Sequence, residues 1–440
     1  MLTINLGIIG GGTVGGGVYQ ALKKNGSLMA SRLSVRFRIA GIAVRNPRKK
    51  RLPHIPQSLL TKDWKSLVQN PKVNLVVELM GGTTTARTVV LEALKLGKSV
   101  VTANKALICE HGEELFSASE KYGANIYYEA AVAGGIPIIK VLRESFSGNR
   151  VQSIHGILNG TCNYMLCQMR ESGLDFKTAL QQATDLGYAE ADPTLDVDGY
   201  DALHKICILA SLAHGHWIDS SKTHVEGIRN ILPLDVHFAQ SLGYSVKLLG
   251  VVKTTSIEKK GIRPRIQVAV HPTLIPLDHV LASVNGVFNA VYLKGDRVGD
   301  SLLYGEGAGA NATASAILSD LGDAALDHAF GSHRRVPPFV PHSESGSILP
   351  QSETVSPFYL RLSVVDRPGT LAKIAAILAE SEIGISSVMQ PEGHEGKSVP
   401  LIMMIHDARE ASMNQALKKI SRLKVIKAPP VLYRVENFID

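Results

Sequence analysis

The chain has 440 residues, 45% of them hydrophobic and 20% charged, with a formal net charge of +8. Such a length favours more than one domain, and the composition is typical of a globular protein rather than a disordered or fibrous one. Because the positive charge is dispersed outside residues 45–51, and aromatic residues make up only 5% of the chain, nucleic acid is not an expected partner.

Residues 1–140 alternate short apolar runs with helix-like stretches. This alternation predicts an α/β domain with a doubly wound, Rossmann-type parallel sheet. We expect it to be the dinucleotide-binding domain because a glycine-rich turn follows its first strand, and we expect residues 305–334 to return to it. The predicted strands are residues 4–9, 38–44, 75–79, 99–102 and 126–129, and the predicted helices are residues 14–24, 85–96 and 113–122.

A glycine-rich turn follows the first predicted strand and opens the first predicted helix. Gly10, Gly12 and Gly15 occupy the positions of a G-x-G-x-x-G fingerprint, with Thr13 and Val14 before the last glycine. Glycines let the turn close and let backbone approach a pyrophosphate, whose charge the helix N-terminus favours. The pattern predicts a dinucleotide site. The alternative, a glycine-rich surface turn, would not require an apolar strand before it.

The second predicted strand is followed by a basic run instead of an acid. A carboxylate here would bind the ribose hydroxyls of NAD, but the run begins with Arg45 and contains no acid. An arginine in this place would pair with a 2′-phosphate, so the sequence favours NADP, with NAD still possible. A solvated basic loop is the alternative.

The pattern changes after residue 140. Residues 141–304 combine longer helices with strand-like runs and predict an α+β substrate domain, which we also expect to be the catalytic and dimerisation domain. Residues 335–357 are rich in Pro and Ser and are interpreted as a linker. Residues 358–440 show the order βαββα with a last strand, which fits a small ferredoxin-like module. In the middle region we expect helices at residues 177–185 and 200–213 and strands at residues 247–254 and 265–270.

The densest acidic segment, residues 190–201, leads into a helix that carries Lys205. Asp201 and Lys205 are spaced i,i+4 and therefore share one helical face, as an exposed ion pair also would. Residues 206–210 are strongly apolar, which indicates that the lysine enters a core, where a desolvated lysine can act as a general acid or base. A calcium loop is the other interpretation, but the order of acids differs from that of an EF-hand.

Five motifs, taken with the glycine fingerprint, resemble the homoserine dehydrogenase family, and the matches extend from about residue 4 to residue 325. They are VTANKAL at residues 101–107, EAAVAGGIPII at 129–139, GILNGTCNYML at 156–166, GYAEADPTLDVDGYDALHK at 187–205 and YGEGAGANATASAILSDL at 304–321.

The resemblance implies reversible, NAD(P)H-dependent reduction of L-aspartate 4-semialdehyde to L-homoserine. Lys205 would exchange a proton with the substrate oxygen, Asp201 would position it, and Lys105 would be a second catalytic lysine. An ammonium group suits this reaction because it stabilises and protonates the alkoxide that develops as hydride arrives. The resemblance also implies Glu190 at the substrate amino group, Thr161, Asn159 and Gly160 along the substrate pocket, and Thr102 and Lys105 beside the cofactor.

The family also binds a monovalent cation, Na⁺, through backbone oxygens. The implied ligands are Glu129, Val132, Gly134 and Ile136; an acid at a strand end followed by a tight apolar turn is the alternative. The chain departs from the family at Glu306, where proline is common. A carboxylate there weakens the expectation that residues 305–309 touch the cofactor phosphates.

Residues 358–390 resemble an ACT domain, whose first strand ends in a D-R-P-G turn. ACT domains pair side by side and bind amino acids between them. The resemblance therefore implies feedback by L-threonine and a homodimer or homotetramer. A module that only mediates assembly is the alternative.

The cysteines and the N-terminus bear on the remaining alternatives. Cys109, Cys162, Cys167 and Cys207 are too widely spaced for a disulfide framework or a zinc site. The absence of a signal-peptide pattern or a long apolar run favours the cytoplasm and no membrane partner. A phosphorylating semialdehyde dehydrogenase would need a nucleophile such as Cys162, yet no histidine partner is near it in the sequence. A dihydrodipicolinate-type reductase and an amino-acid-sensing regulator also remain open.

Overall fold

A computed structural model describes residues 1–51, 53–255, 264–332, 335–342, 347–390 and 398–438. Residues 343–346 of the predicted linker lie outside the described residues. The strands are β1 (Leu2–Ile9), β2 (Val35–Ala43), β3 (Leu60–Thr61), β4 (Leu75–Glu78), β5 (Ser99–Thr102), β6 (Ile126–Tyr127), β7 (Val151–Ile157), β8 (His224–Val225), β9 (Tyr244–Thr254), β10 (Ile266–Pro276), β11 (Phe288–Gly295), β12 (Gly299–Glu306), β13 (Val355–Val365), β14 (Ile385–Met389), β15 (Ser398–Arg409) and β16 (Ile426–Val435).

The helices alternate with these strands. They are α1 (Thr13–Leu33), α2 (Trp64–Gln69), α3 (Thr84–Lys95), α4 (Lys105–Tyr122), α5 (Ile138–Lys140), α6 (Gly160–Ser172), α7 (Phe176–Asp185), α8 (Thr194–Val197), α9 (Tyr200–His214), α10 (Pro233–Ser241), α11 (Ala310–Phe330), α12 (Thr370–Glu380) and α13 (Glu410–Ile420). Throughout the described ranges, every helix is too short or too polar to cross a membrane.

The first of two compact units contains Met1–Gly160, Asp201–Thr223 and Phe288–Ser345. Its main sheet is parallel, with the strand order β3-β2-β1-β4-β5-β6, and the order reverses between β1 and β4. Ligands of such sheets bind outside the carboxyl ends of the strands at this reversal. The sheet confirms the predicted doubly wound fold and locates a candidate cofactor site at the ends of β1 and β4.

Helix α1 is longer than predicted, since it ends at Leu33 rather than at residue 24. The Asn25-Gly26 pair favours a turn locally. However, Leu22 and Leu33 of α1 pack in one core cluster with Leu321 of α11, and this burial outweighs the weak local preference. Helix α4 likewise begins at Lys105 rather than at residue 113. In the same unit, β11 pairs antiparallel with both β7 and β12.

The second unit contains Thr161–Tyr200, His224–Val287 and Gly346–Asp440. Strands β9 and β10 are antiparallel, and β10 also pairs in parallel with β8 and with β16. Strand β13 lies between β15 and β16, with β14 beside β15. Together with α12 and α13, these strands confirm the predicted βαββαβ order, and their apolar faces share one core cluster.

Candidate active site

The glycine turn lies at the carboxyl end of β1, with Gly10 at φ +115°. A Cβ atom at Gly10 would lie 2.4 Å from Leu79 O, and one at Gly15 would lie 2.1 Å from Gly10 O, so these two positions cannot carry a side chain without a shift. A Cβ at Gly12 would meet nothing within 4 Å. Gly12 is the N-cap of α1 and has no side chain with which to cap the helix, and the first turn of α1 contains no acid. This cradle of open backbone fits a dinucleotide pyrophosphate.

The basic run after β2 packs against the glycine turn. A Cβ at Gly11 would lie 2.7 Å from a methyl group of Val44. Arg51 Nε donates to Gly11 O at 3.2 Å, and Arg51 Nη2 donates to Asn46 O at 2.6 Å. Arg45 is exposed in this loop. Arg51 thus anchors the loop that carries Arg45, a role that the sequence analysis missed because it considered the run only for its charge.

The carboxylate of Asp201 lies between the two lysines implicated by the sequence. Its Oδ2 accepts a hydrogen bond from Lys205 Nζ at 2.7 Å, and its Oδ1 pairs with Lys105 Nζ at 2.9 Å. Asn159 Nδ2 donates to Asp201 Oδ2 at 2.9 Å, and Lys205 Nζ donates to Leu158 O at 2.6 Å. The structure therefore brings together residues from the starts of α4 and α9 and from the turn after β7.

Burial distinguishes this cluster from a surface ion pair. The side chains of Asp201 and Lys205 are each 10% exposed, whereas that of Lys105 is 39% exposed. Burial alone would raise the pKa of Asp201, but the adjacent Lys205 and Lys105 ammonium groups outweigh it and hold that pKa well below its usual value. Asp201 therefore remains an anion throughout the neutral pH range.

Asn159, predicted from the sequence to line the substrate pocket, is buried, and its amide donates to Asp201. Thr161 and Glu190 lie in the second unit. There Thr161 Oγ1 donates to Tyr188 O at 2.8 Å, while the side chain of Glu190 is exposed.

The acids that precede α9 have local protein partners. Asp192 Oδ1 accepts from Thr194 N at 3.1 Å, and Asp198 pairs with Arg229. Among the described residues, no group of three or more His, Cys, Asp or Glu side chains is arranged to hold a metal ion. The bonds of Asp192 and Asp198 to protein partners argue against the calcium-loop interpretation. Cys162 is buried and donates to Asp196 O at 3.2 Å, which does not suit an accessible nucleophile.

The segment implied for Na⁺ forms a sharp turn in which Ala133 and Gly134 both have φ +54°. The Glu129 carboxylate accepts the backbone N–H groups of Ile139 and Lys140, each at 2.8 Å. Burial raises the pKa of Glu129 to about 7. Because this side chain is bonded to α5, a cation here would depend on main-chain carbonyls, as the sequence analysis expected.

Glu306 does not obstruct this region. Its side chain is exposed, and its carbonyl accepts Gly135 N at 3.1 Å. The side chain that departs from the family pattern is therefore directed to solvent.

Two buried acids of the first unit were missed by the sequence analysis. Glu78 ends β4, and Asp320 Oδ2 accepts the backbone N–H of Glu129 at 2.9 Å. Glu78 directly follows the apolar residues 75–77, and an acid at the end of an apolar run is the signal that could have identified it. Asp320 follows Ser319 inside α11 and carries no such signal.

Three family models match the chain. They are described as homoserine dehydrogenase over residues 137–321, homoserine dehydrogenase NAD-binding domain over residues 10–129, and ACT domain over residues 358–425. A homoserine dehydrogenase of Pseudomonas aeruginosa is 44% identical over 99% of this chain and 100% of its own length. One from Neisseria gonorrhoeae is 42% identical over 100% of both chains.

Solved structures show the same similarity. A homoserine dehydrogenase from Thiobacillus denitrificans aligns with a TM-score of 0.91 and 40% identity over 99% of this chain and 98% of its own. A hyperthermophilic archaeal homoserine dehydrogenase in complex with NADPH aligns with a TM-score of 0.63 and 27% identity over 74% of this chain and 98% of its own. The chain therefore belongs to the homoserine dehydrogenase family of oxidoreductases, with a nicotinamide-dinucleotide-binding domain and a C-terminal ACT domain.

Proposed function

We propose that this chain catalyses the reversible reduction of L-aspartate 4-semialdehyde to L-homoserine, with Lys205 as the proton donor. The observation that carries the proposal is the buried cluster in which Asp201 contacts both Lys205 and Lys105. A carbonyl reduction needs a proton delivered to an oxygen that becomes negative. A buried ammonium group held by a carboxylate can supply it.

We infer a role for each group from the hydrogen bonds that it makes. When bound, the reduced nicotinamide supplies the hydride. Of the three N–H bonds of Lys205, one is directed to Leu158 O and one to Asp201, so the third can reach the substrate oxygen. Asp201 orients Lys205, and its amide partner Asn159 holds the carboxylate in place. The more exposed Lys105 adds positive charge beside the developing alkoxide.

The substrate amino group is assigned to Glu190, an exposed carboxylate. Thr161 is also assigned to the substrate, since its hydroxyl donates to Tyr188 O and keeps lone pairs with which to accept a hydrogen bond. Gly160 begins α6 and places Thr161 at the first turn of that helix. Glu190→Gln is expected to raise KM for aspartate semialdehyde more than it lowers kcat.

The preferred cofactor is NADPH. The support is the basic loop held against the glycine turn by Arg51, with Arg45 exposed on it. Arg45→Ala is expected to raise KM for NADPH and to leave KM for NADH nearly unchanged, because only NADPH carries the 2′-phosphate. Equal effects on both cofactors would contradict this assignment.

A monovalent cation is assigned to the carbonyls of Glu129, Val132, Gly134 and Ile136. Two observations support this assignment. The turn has two residues at positive φ, and the Glu129 side chain already accepts backbone N–H groups, which leaves main-chain carbonyls as the ligands. Thermal unfolding in NaCl is expected to occur at a higher temperature than in tetramethylammonium chloride at equal ionic strength, because only Na⁺ fits such a site. Equal melting temperatures would argue against the site.

The ACT domain is assigned to feedback by L-threonine in a homodimer or homotetramer. Its support is the family match and the complete βαββαβ module. Titration with L-threonine is expected to lower the rate and to raise the melting temperature. If neither changes, the module serves assembly alone, and sedimentation of the protein would reveal the oligomer.

The decisive experiment follows the loss of NADPH absorbance with aspartate semialdehyde for the wild type, Lys205→Ala and Lys222→Ala. Lys222 is the matched control because it also pairs with an acid in the first unit, Asp219, but is 78% exposed. Loss of a general acid typically costs about 10²- to 10⁴-fold in rate. We expect that loss for Lys205→Ala only, with NADPH binding retained. Equal rates for the two variants would refute the assignment of Lys205.

A further inference from the structure

Glu78 is a fully buried carboxylate at the carboxyl end of β4. Its Oε1 accepts the backbone N–H of Met80 at 2.8 Å, and its Oε2 accepts the hydroxyl of Thr102 at 2.6 Å. A carboxylate buried without partners would be strongly unfavourable. Here each oxygen meets a donor, so the group forms part of a defined network.

The network continues from Thr102 to the start of α4. Thr102 Oγ1 accepts Asn104 N at 3.0 Å, and Asn104 Oδ1 accepts Leu107 N at 3.1 Å as the N-cap of α4. Asn104 Nδ2 also donates to Met80 O at 3.3 Å and to Gly82 O at 2.8 Å. These bonds join the loops that follow β4 and β5.

The same segment supports the glycine turn. Leu79 N donates to Ile9 O at 2.7 Å, and Leu79 O occupies the space that a side chain at Gly10 would need. Residues 78–80 therefore contact the glycine turn on one side and the N-terminus of α4 on the other. The first residue of α4 is Lys105.

We infer that Glu78 is a positioning residue which, through Thr102 and Asn104, fixes the Lys105 end of α4 relative to the glycine turn. This inference rests on the proposed role of Lys105 in the reaction. Glu78 itself is not assigned to contact the substrate. Its effect is to hold Lys105 in place relative to Asp201 and to the glycine turn.

The chemistry of the site requires a carboxylate rather than an amide. The groups directed at Glu78 are donors, among them Met80 N and Thr102 Oγ1. Glutamine would turn its own NH₂ group toward one of them and leave a buried donor unpaired. Burial raises the pKa of Glu78 to about 7, although the bonds from Thr102, Met80 and Asn104 lower it. The fold thus retains an acid in a place where burial disfavours its charge.

The test compares Glu78→Gln with the matched control Asp327→Asn. Asp327 is also a buried acid of the first unit, bonded to Tyr127 Oη at 2.8 Å. For Glu78→Gln we expect kcat to fall by about 10- to 100-fold, since a catalytic group displaced by about 1 Å can cost about 100-fold. Amide hydrogen exchange in the protein without cofactor is expected to be faster at Leu107. Asp327→Asn is expected to change neither.

A second pair of variants keeps the inference testable if Glu78→Gln does not fold. Thr102→Val removes the linking hydroxyl and is expected to lower kcat as Glu78→Gln does, whereas Thr102→Ser restores the hydroxyl and the rate. Glu78→Gln combined with Thr102→Val is expected to have a kcat no lower than that of either variant alone, because both break the same chain of hydrogen bonds.

Three results would overturn the inference: wild-type kcat in Thr102→Val, equal losses in Glu78→Gln and Asp327→Asn, or additive losses in the double variant. Failure of the proposed function would look different. In that case the wild type itself would not reduce aspartate semialdehyde, while exchange at Leu107 could still respond to Glu78→Gln.

Discussion

Replacing Asp201 by asparagine removes the carboxylate that contacts both Lys205 and Lys105. Breaking a buried ion pair typically costs about 3–5 kcal/mol because a charge stays buried without its partner. Lys205 is 10% exposed and falls in that regime, whereas Lys105 at 39% is screened by solvent and adds little. We therefore expect Asp201→Asn to lower the free energy of unfolding by about 3 kcal/mol, the lower end of that range.

Activity should fall for a separate reason. Asparagine keeps a single uncharged oxygen, for which the donors of Lys205, Lys105 and Asn159 would compete, so Lys205 is no longer held in one orientation. Loss of an oriented general acid costs about 10²- to 10⁴-fold in kcat. Adding Lys205→Met removes the unpaired cation, and apolar replacement of buried ions is often neutral or stabilising. The double variant should therefore be more stable than Asp201→Asn alone, by about 1–2 kcal/mol, yet remain inactive.

The assay combines urea unfolding with initial rates of NADPH oxidation at saturating cofactor. Asp219→Asn is the control, because Asp219 forms the exposed pair with Lys222 in the same unit, and it should change neither stability nor rate appreciably. A double variant no more stable than Asp201→Asn would show that the unpaired lysine is not the source of the loss. Wild-type kcat in Asp201→Asn would refute the orienting role.

Three further predictions follow from single contacts. Gly15→Ala places a Cβ 2.1 Å from Gly10 O, so we expect a loss of about 3 kcal/mol or more and weaker NADPH binding by fluorescence titration; wild-type binding would contradict it. Burial, together with two neighbouring histidines, lowers the pKa of His214 from 6.5 to about 4. As the pH falls, the unfolded chain therefore takes up this proton before the folded chain does, and the free energy of unfolding should fall by up to about 3 kcal/mol between pH 6.5 and 4. Urea unfolding at both pH values should show a smaller loss for His214→Gln. Arg361→Met leaves the buried carboxylate of Asp235 without its cation, so the free energy of unfolding should drop by about 3–5 kcal/mol in calorimetry, whereas adding Asp235→Leu should recover part of it.

The helix that carries Asp201 and Lys205 was predictable because its evidence is local. Asp201 and Lys205 are four residues apart, and the apolar residues after them indicated burial, which the structure shows as 10% exposure. The glycine fingerprint was predictable for the same reason, since the strand, the turn and the helix are consecutive in the chain. Periodicity reports such features because side chains near in sequence share a face.

Other features depended on contacts between distant segments. Nothing in the sequence around Asn159 shows that its amide reaches Asp201, and nothing around Arg51 shows that it bonds to Gly11. The length of α1 was also misjudged, because packing against α11 outweighs the local turn preference.

The sequence by itself determined the doubly wound fold, the glycine turn, the Asp201–Lys205 pair and the C-terminal βαββαβ order. Only the tertiary structure decided that Lys105 pairs with Asp201 and that Glu78 bonds to Met80 and Thr102, which lie between the glycine turn and the start of α4. The physical reason is that the carboxyl ends of parallel strands meet at one edge of the sheet whatever their separation along the chain. Local patterns determine each strand and turn, but the hydrogen bonds that join them exist only once the sheet has formed.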